Sequence, residues 1–158
     1  MRALYLFLYI MAIIVLQTVI VPSFNFFGVL PDLVLVSAIT FSVLQEKSSA
    51  LFFSAGLGFL QDLLTANWYW NTIVKTFASG VIVNIKEDIF GSEFSFAVWM
   101  VIIITPLMIL TEWLGLVFVF HRSYSLYFLV FKIIFTTLYN LLVLPVIFRV
   151  MKALVYER

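Results

Sequence analysis

Asp62, Lys75, Glu112 and Lys132 stand inside long apolar runs, where an ionised side chain is out of place. A charge in a lipid-facing helix is costly, so such residues pair, line a protected cavity or mark a functional site. Asp62 lies about five residues before a polar and aromatic break at 67–71, and Lys75 about three after it. At a rise of about 1.5 Å per residue, the two sit within roughly one helical turn of each other in depth. Glu112 and Lys132 flank a later break by about nine and seven residues and lie somewhat deeper. Short connections make consecutive helices neighbours. Two charge pairs are therefore expected, Asp62–Lys75 and Glu112–Lys132, standing apart or merged into one polar cluster. Three readings of them stay open: ion pairs that hold helices together and are costly to break, a lysine snorkelling alone to the interface, and a partner or ligand site.

Two carboxylates could serve as acid and base. The rest of an active site is missing from the sequence. It has no HExxH, GxSxG or CxxC motif, no cysteine and a single histidine, His121, so no metal centre is expected. Gly56-Leu57-Gly58 lacks the third glycine, the preceding strand and the following acid of a dinucleotide fingerprint. A non-catalytic chain without a cofactor is expected. The net charge of +1, with no basic tail, gives nucleic-acid binding no electrostatic support.

Other residues bear on how helices would pack. Ala50, Ser54, Gly58, Asp62 and Ala66 recur every four residues, as do Thr72, Thr76, Gly80 and Asn84. Small stripes let helix backbones approach closely in lipid, so these two should face each other or the bundle centre. Pro106 and Pro145 fall inside apolar runs. Each frees a carbonyl about one turn earlier and favours a kink. Asn140 is placed to satisfy the one freed by Pro145.

The elements that must carry these groups follow from composition. Of 158 residues, 65% are hydrophobic and 11% charged, against about half and a quarter in a soluble domain. The fold class expected is an all-α integral membrane protein, a single transmembrane domain over 1–158. About six helices are read, at 3–21, 29–45, 49–66, 73–90, 96–120 and 126–151. The first run is read as a span rather than a signal peptide, since it is long enough to cross and has no clear cleavage site. Pro22 to Asp32, Gln45 to Ser49, Asn67 to Asn71, Lys86 to Glu93 and His121 to Ser123 mark the breaks. Arg2, Lys47, Lys86, Arg149, Lys152 and Arg158 fall on one side and Arg122 on the other, which puts both termini in the cytoplasm. Phe26, Phe27, Trp68, Tyr69, Trp70, Tyr124 and Tyr127 then mark the outer interface.

One stretch carries a resemblance. Ser54, Gly56, Gly58 and Gln61, then Asp62-Leu63-Leu64, resemble the most recognisable segment of the rod shape-determining protein MreD family: a glycine, several apolar residues and Asp-Leu. Pro31-Asp32-Leu33, Glu112, and Asn140 to Pro145 with Arg149 and Lys152 are similar to other family features. The bulky 67–71 loop departs from the family's Ser- and Gly-containing one. The resemblance extends over nearly the whole chain. It implies a multi-pass subunit of the bacterial cytoplasmic (inner) membrane, without catalytic activity. Such a subunit binds MreC, a single-span protein, and works indirectly with MreB and the RodA–transpeptidase synthase in peptidoglycan synthesis and rod cell shape. It also implies a helical fold resembling the substrate-binding subunits of energy-coupling-factor transporters. Recognition of the MreC-like partner is then expected on helix faces within the bilayer, with the small stripe around Ser54 and Gly58, Asp62 and Glu112 as candidates. A homo-oligomer is compatible with the same faces. The alternative is a vitamin-type small-molecule-binding transporter subunit, with Trp68, Tyr69, Trp70 and the charged quartet Asp62, Lys75, Glu112 and Lys132 around its pocket; Asn140 joins that quartet in the intramembrane polar cluster that either reading would use.

Overall fold

The computed structural model describes residues 2–24, 28–65, 69–86, 91–118, 121 and 125–156. Ala66 of the small stripe and the loop and terminal residues Asn25, Phe26, Phe27, Asn67, Trp68, Glu87, Asp88, Arg122, Ser123, Tyr124 and Arg158 lie outside them. The principal elements are α1 (Arg2–Val15), α2 (Leu33–Leu44), α3 (Lys47–Thr65), α4 (Trp70–Ile85), α5 (Glu93–Phe118) and α6 (Leu126–Tyr156). Helix α1 runs on through a π-helical turn, Leu16–Ile20, and a 3-10 turn, Val21–Phe24. The chain is all-helical in these elements. Three stretches are long and apolar enough to cross a membrane: Leu4–Ser23, Glu93–Phe118 and Leu126–Tyr156.

Successive helices run antiparallel, as the bonds bracketing their two ends show. Toward the end where α2 and α4 begin, Gln17 after α1 and Asn140 of α6 bond the entry to α2, and Asp62 of α3 bonds the start of α4. At the opposite end Lys47 bonds Asn84 at 2.9 Å, and Lys152 and Tyr156 of α6 reach Glu93 of α5 at 2.9 and 3.0 Å. Lys86 donates to the carbonyls of Ser42 and Gln45 at the end of α2. Those are helix-terminal acceptors without an intrahelical partner, and a cation suits the negative end of the helix dipole.

The shortest helix is the central one. Every residue of α2 from Val34 to Leu44 is buried, and α2 packs against α3, α4, α5 and α6. A helix apolar all round has no surface face and belongs in a core. Its 12 residues reach about 18 Å, well short of a hydrocarbon layer of about 30 Å. The expected helix 29–45 therefore begins late. Pro31 has no N–H and disfavours helical backbone in the residue before it. Asp32 then caps α2, its side chain accepting from Leu35 N at 2.8 Å. Gly28, at φ 81°, makes the turn that leads in, a conformation open to glycine at little cost.

Other boundaries differ from the sequence reading as well. Lys47 and Ser48, read as turn, belong to α3, Trp70 and Asn71, read as loop, to α4, and Glu93, read as break, to α5, while α6 continues to Tyr156. The early start of α4 has a tertiary cause, given below.

Polarity runs outward from wet to oily. Ser37, Thr40, Ser42, Ser54, Gln61, Asp62, Lys75 and Asn140 are buried, while Leu8, Phe52, Phe77, Trp99, Leu107 and Leu142 are among many large apolar side chains left exposed. An apolar exterior this extensive is rare on soluble monomers. Lipid is the solvent it fits.

Candidate functional site

Lys75 is fully buried on α4 and is the largest such side chain. Its Nζ donates to Gln61 Oε1 and Asn71 Oδ1, each at 2.7 Å, and pairs with Asp32 Oδ2 at 3.2 Å. An ammonium has three donors, and all three are matched. Three residues, from α3, α4 and the entry to α2, thus converge on one cation. The expected Asp62–Lys75 pair does not form: Lys75 is paired instead with Asp32, which the sequence reading placed in the break before the second helix and in a feature shared with the resembled family.

Asp62 has a different task. Its Oδ1 accepts from Asn71 N at 3.1 Å and Asn71 Nδ2 at 2.9 Å, and its Oδ2 from Thr72 N at 2.8 Å and Thr72 Oγ1 at 2.7 Å. Tyr69, at the start of α4, has no capping side chain. The carboxylate of α3 supplies that cap across the helix pair, satisfying two of the first N–H groups at the positive end of the dipole. This is why α4 begins as early as Trp70. Gly58 makes the approach possible. A methyl group there would lie 2.6 Å from Thr72 Cα and 2.7 Å from Asn71 O, both backbone atoms. About two turns away, Gly80 faces Leu51. The stripes of α3 and α4 therefore meet each other, with Ala50, Ser54, Gly58 and Asp62 covered and Thr76 half-buried, its hydroxyl bonded to Thr72 O at 2.6 Å. Helix α4 therefore covers the face of α3 on which partner binding was expected.

The extended entry to α2 is held by side chains from the flanking helices. Gln17, in the π-helical turn after α1, accepts from Leu33 N at 2.7 Å and donates to Pro31 O at 3.1 Å. Asn140 accepts from Asp32 N at 2.8 Å and donates to Thr105 at 3.1 Å. Asn140 thus serves the entry to α2, not the carbonyl that Pro145 frees. Extended backbone enclosed by protein needs such partners for its N–H and C=O groups, and Gln17 and Asn140 supply them here.

Glu112 and Lys132 form the second expected pair, at 3.0 Å, with side chains 44% and 31% exposed. They line a cavity of about 570 Å³ between α2, α4, α5 and α6 and the 28–32 segment. Asp32, Gln17, Gln61, Asn71 and Asn140 line it too, beside Leu35, Ile109 and Leu116. Lys75 stands behind this wall and Asp62 outside it. Ligand cavities of about 300–1,000 Å³, mostly apolar with a few convergent polar groups, are typical. No group of three or more His, Cys, Asp or Glu side chains able to hold a metal occurs among the described residues.

Sequence reasoning missed Asp32, Gln17, Gln61 and Asn71 as members of the site. A signal existed in part: Gln17 is an amide in an otherwise apolar run, and amides within membrane helices seek partners. Comparison of the chain with protein-family profiles, with curated proteins and with solved structures finds no match in any of the three.

Proposed function

We propose that the chain is a multi-pass protein of the bacterial cytoplasmic membrane, with six embedded helices and both termini in the cytoplasm. In this reading it is a non-catalytic subunit of the cell-elongation complex that binds an MreC-like single-span protein and supports peptidoglycan synthesis and rod shape. One observation carries the reading. The stretch that resembles the MreD family, Ser54 to Leu64, packs closely on α4 through Gly58 and Asp62. The collection of Lys47, Lys86 and Lys152 at one end of the bundle supports the orientation through the positive-inside rule. With the α3 stripe covered, this reading has the partner helix meet an outer apolar face, and Phe52 on α3 and Phe77 on α4, 80% and 73% exposed, are positions from which to probe it.

Depletion of the protein followed by cell-shape imaging tests the role. Rounding is expected, and unchanged rods would refute it. Photo-crosslinkers at Phe52 and Phe77 should capture a single-span protein, whereas labelling confined to Leu142 and Val146 on α6 would move the interface.

The cavity favours a second reading, a small-molecule-binding transporter subunit. A molecule that stays bound through purification favours this reading; a copurifying single-span protein favours the first.

A further inference from the structure

We infer that the cavity between α2, α4, α5 and α6 binds a zwitterion with an apolar body, its ammonium on Glu112 and its anionic oxygens on Lys132. The inference rests on neither role above: a carrier would move such a ligand, and a scaffold would be regulated by it.

Free bonding capacity on charged groups singles out one place on the wall. Two carboxylates line the cavity, Asp32 and Glu112, and one ammonium, Lys132. Asp32 is fully engaged: Oδ1 accepts from Leu35 N at 2.8 Å and Oδ2 pairs with Lys75 at 3.2 Å. Lys75, behind the wall, has all three donors matched. Asp62, outside the wall, has its oxygens taken up by four donors of Asn71 and Thr72. Glu112 and Lys132 differ. Among the described residues, Lys132 Nζ uses one of its three donors, on Glu112 Oε2 at 3.0 Å, and Glu112 Oε1 accepts from none. Both side chains are part exposed, and both line the cavity. An open acceptor of negative charge thus stands beside two open donors of positive charge.

That adjacency decides the charge of the ligand. A lone anion bonded to Lys132 Nζ at about 3 Å sits no more than about 6 Å from Glu112 Oε2, because the pair is closed at 3.0 Å. Coulomb energy falls as the inverse of distance, so repulsion by Glu112 cancels about half of the attraction or more. A lone cation on Glu112 meets the same cancellation from Lys132. The cancellation compares two distances in one medium, so it applies to a half-exposed pair as it would to a buried one. A ligand with both charges a few bonds apart gains from each partner and leaves the protein pair intact, four charges alternating in sign. Its bonds are of the stronger, charge-assisted kind. Leu35, Met108, Ile109 and Leu116 on the rest of the wall suit an apolar body. A free apolar amino acid carries this chemistry, and so does the headgroup of phosphatidylethanolamine.

The test uses the full chain in phosphatidylglycerol nanodiscs. Phenylalanine, read by calorimetry, is the probe for a ligand from water, with phenethylamine and 3-phenylpropionate as its one-charge controls. Phosphatidylethanolamine, added to the discs and counted on the protein by native mass spectrometry, is the probe for a ligand from the bilayer. Its control is phosphatidylcholine, whose headgroup has no N–H to give Glu112. At least one zwitterion should bind saturably and roughly tenfold or more tighter than its controls, and which one does so identifies the source. Glu112→Gln and Lys132→Gln should each weaken that binding about ten- to a hundredfold while the helical circular dichroism stays unchanged. Glu112→Gln should at the same time strengthen binding of 3-phenylpropionate by removing the repulsion, which a merely structural role of Glu112 would not do. The inference is overturned if neither zwitterion binds saturably, if a control binds as tightly as its zwitterion, or if both variants bind like the parent. None of these outcomes bears on cell shape or transport.

Discussion

Lys75 and Lys132 both sit within apolar helices and both meet a carboxylate, yet they are handled in opposite ways. Lys75 is fully buried and bonded to three side chains, Asp32, Gln61 and Asn71. Lys132 is 31% exposed and bonded to Glu112 alone among the described residues. The difference shows what a fully desolvated ion needs. One opposite charge leaves two ammonium donors unmatched, and an unmatched buried donor costs about 1–3 kcal/mol. A complete shell of acceptors removes that cost and pins three elements together. A half-exposed pair needs no such shell, and it leaves both partners accessible from the cavity.

If this contrast is right, Asp32→Ala has the largest effect, leaving Lys75 buried and uncompensated. A loss of about 3–5 kcal/mol is expected, read as the unfolding midpoint in a denaturing-detergent titration. Adding Lys75→Met should restore part of it. A double variant no more stable than Asp32→Ala would remove the pair from the account. Asp62→Ala strips the cap from α4 and leaves Asn71 N and Thr72 N unmatched, which should cost about 1–3 kcal/mol and raise amide exchange in the first turn of α4. Full exchange protection there would show that Asp62 does not cap the helix. Gly58→Ala forces a methyl group against backbone and should lower stability by about 1–3 kcal/mol. A variant as stable as the parent would mean that α3 and α4 do not meet at Gly58. The smallest effect belongs to Glu112→Gln, about 1 kcal/mol or less, since accessible ion pairs contribute little, with a further decrease at high salt. Should Glu112→Gln prove as damaging as Asp32→Ala, the contrast between the two lysines collapses.

Part of the site was legible in the residues. Depth arithmetic placed Glu112 opposite Lys132, and they meet. The same arithmetic placed Asp62 near Lys75, and both do act across the α3–α4 pair, but not on each other. Depth gives height along a helix and says nothing of rotation about its axis. Asp62 points at the backbone that begins α4, while Lys75 turns toward α2. Asp32 was overlooked because it lies in the break before α2, outside the apolar runs in which a charge stands out. It caps α2 through Oδ1 to Leu35 N, and Oδ2 is left over for Lys75.

Composition and hydrophobic run length alone determined that this chain is built of apolar helices, because a backbone in oil must satisfy its own hydrogen bonds and only a helix does so within one segment. The spacing of Ala50, Ser54, Gly58 and Asp62 determined that α3 has one face narrow enough for close packing. Only the tertiary structure decided that α2 is a short, wholly enclosed helix, that Gln17 and Asn140 hold its extended entry, and that a cavity opens beside them. Those outcomes depend on which side chains of distant segments converge, and convergence is set by helix rotation and crossing, which no local pattern in the chain encodes.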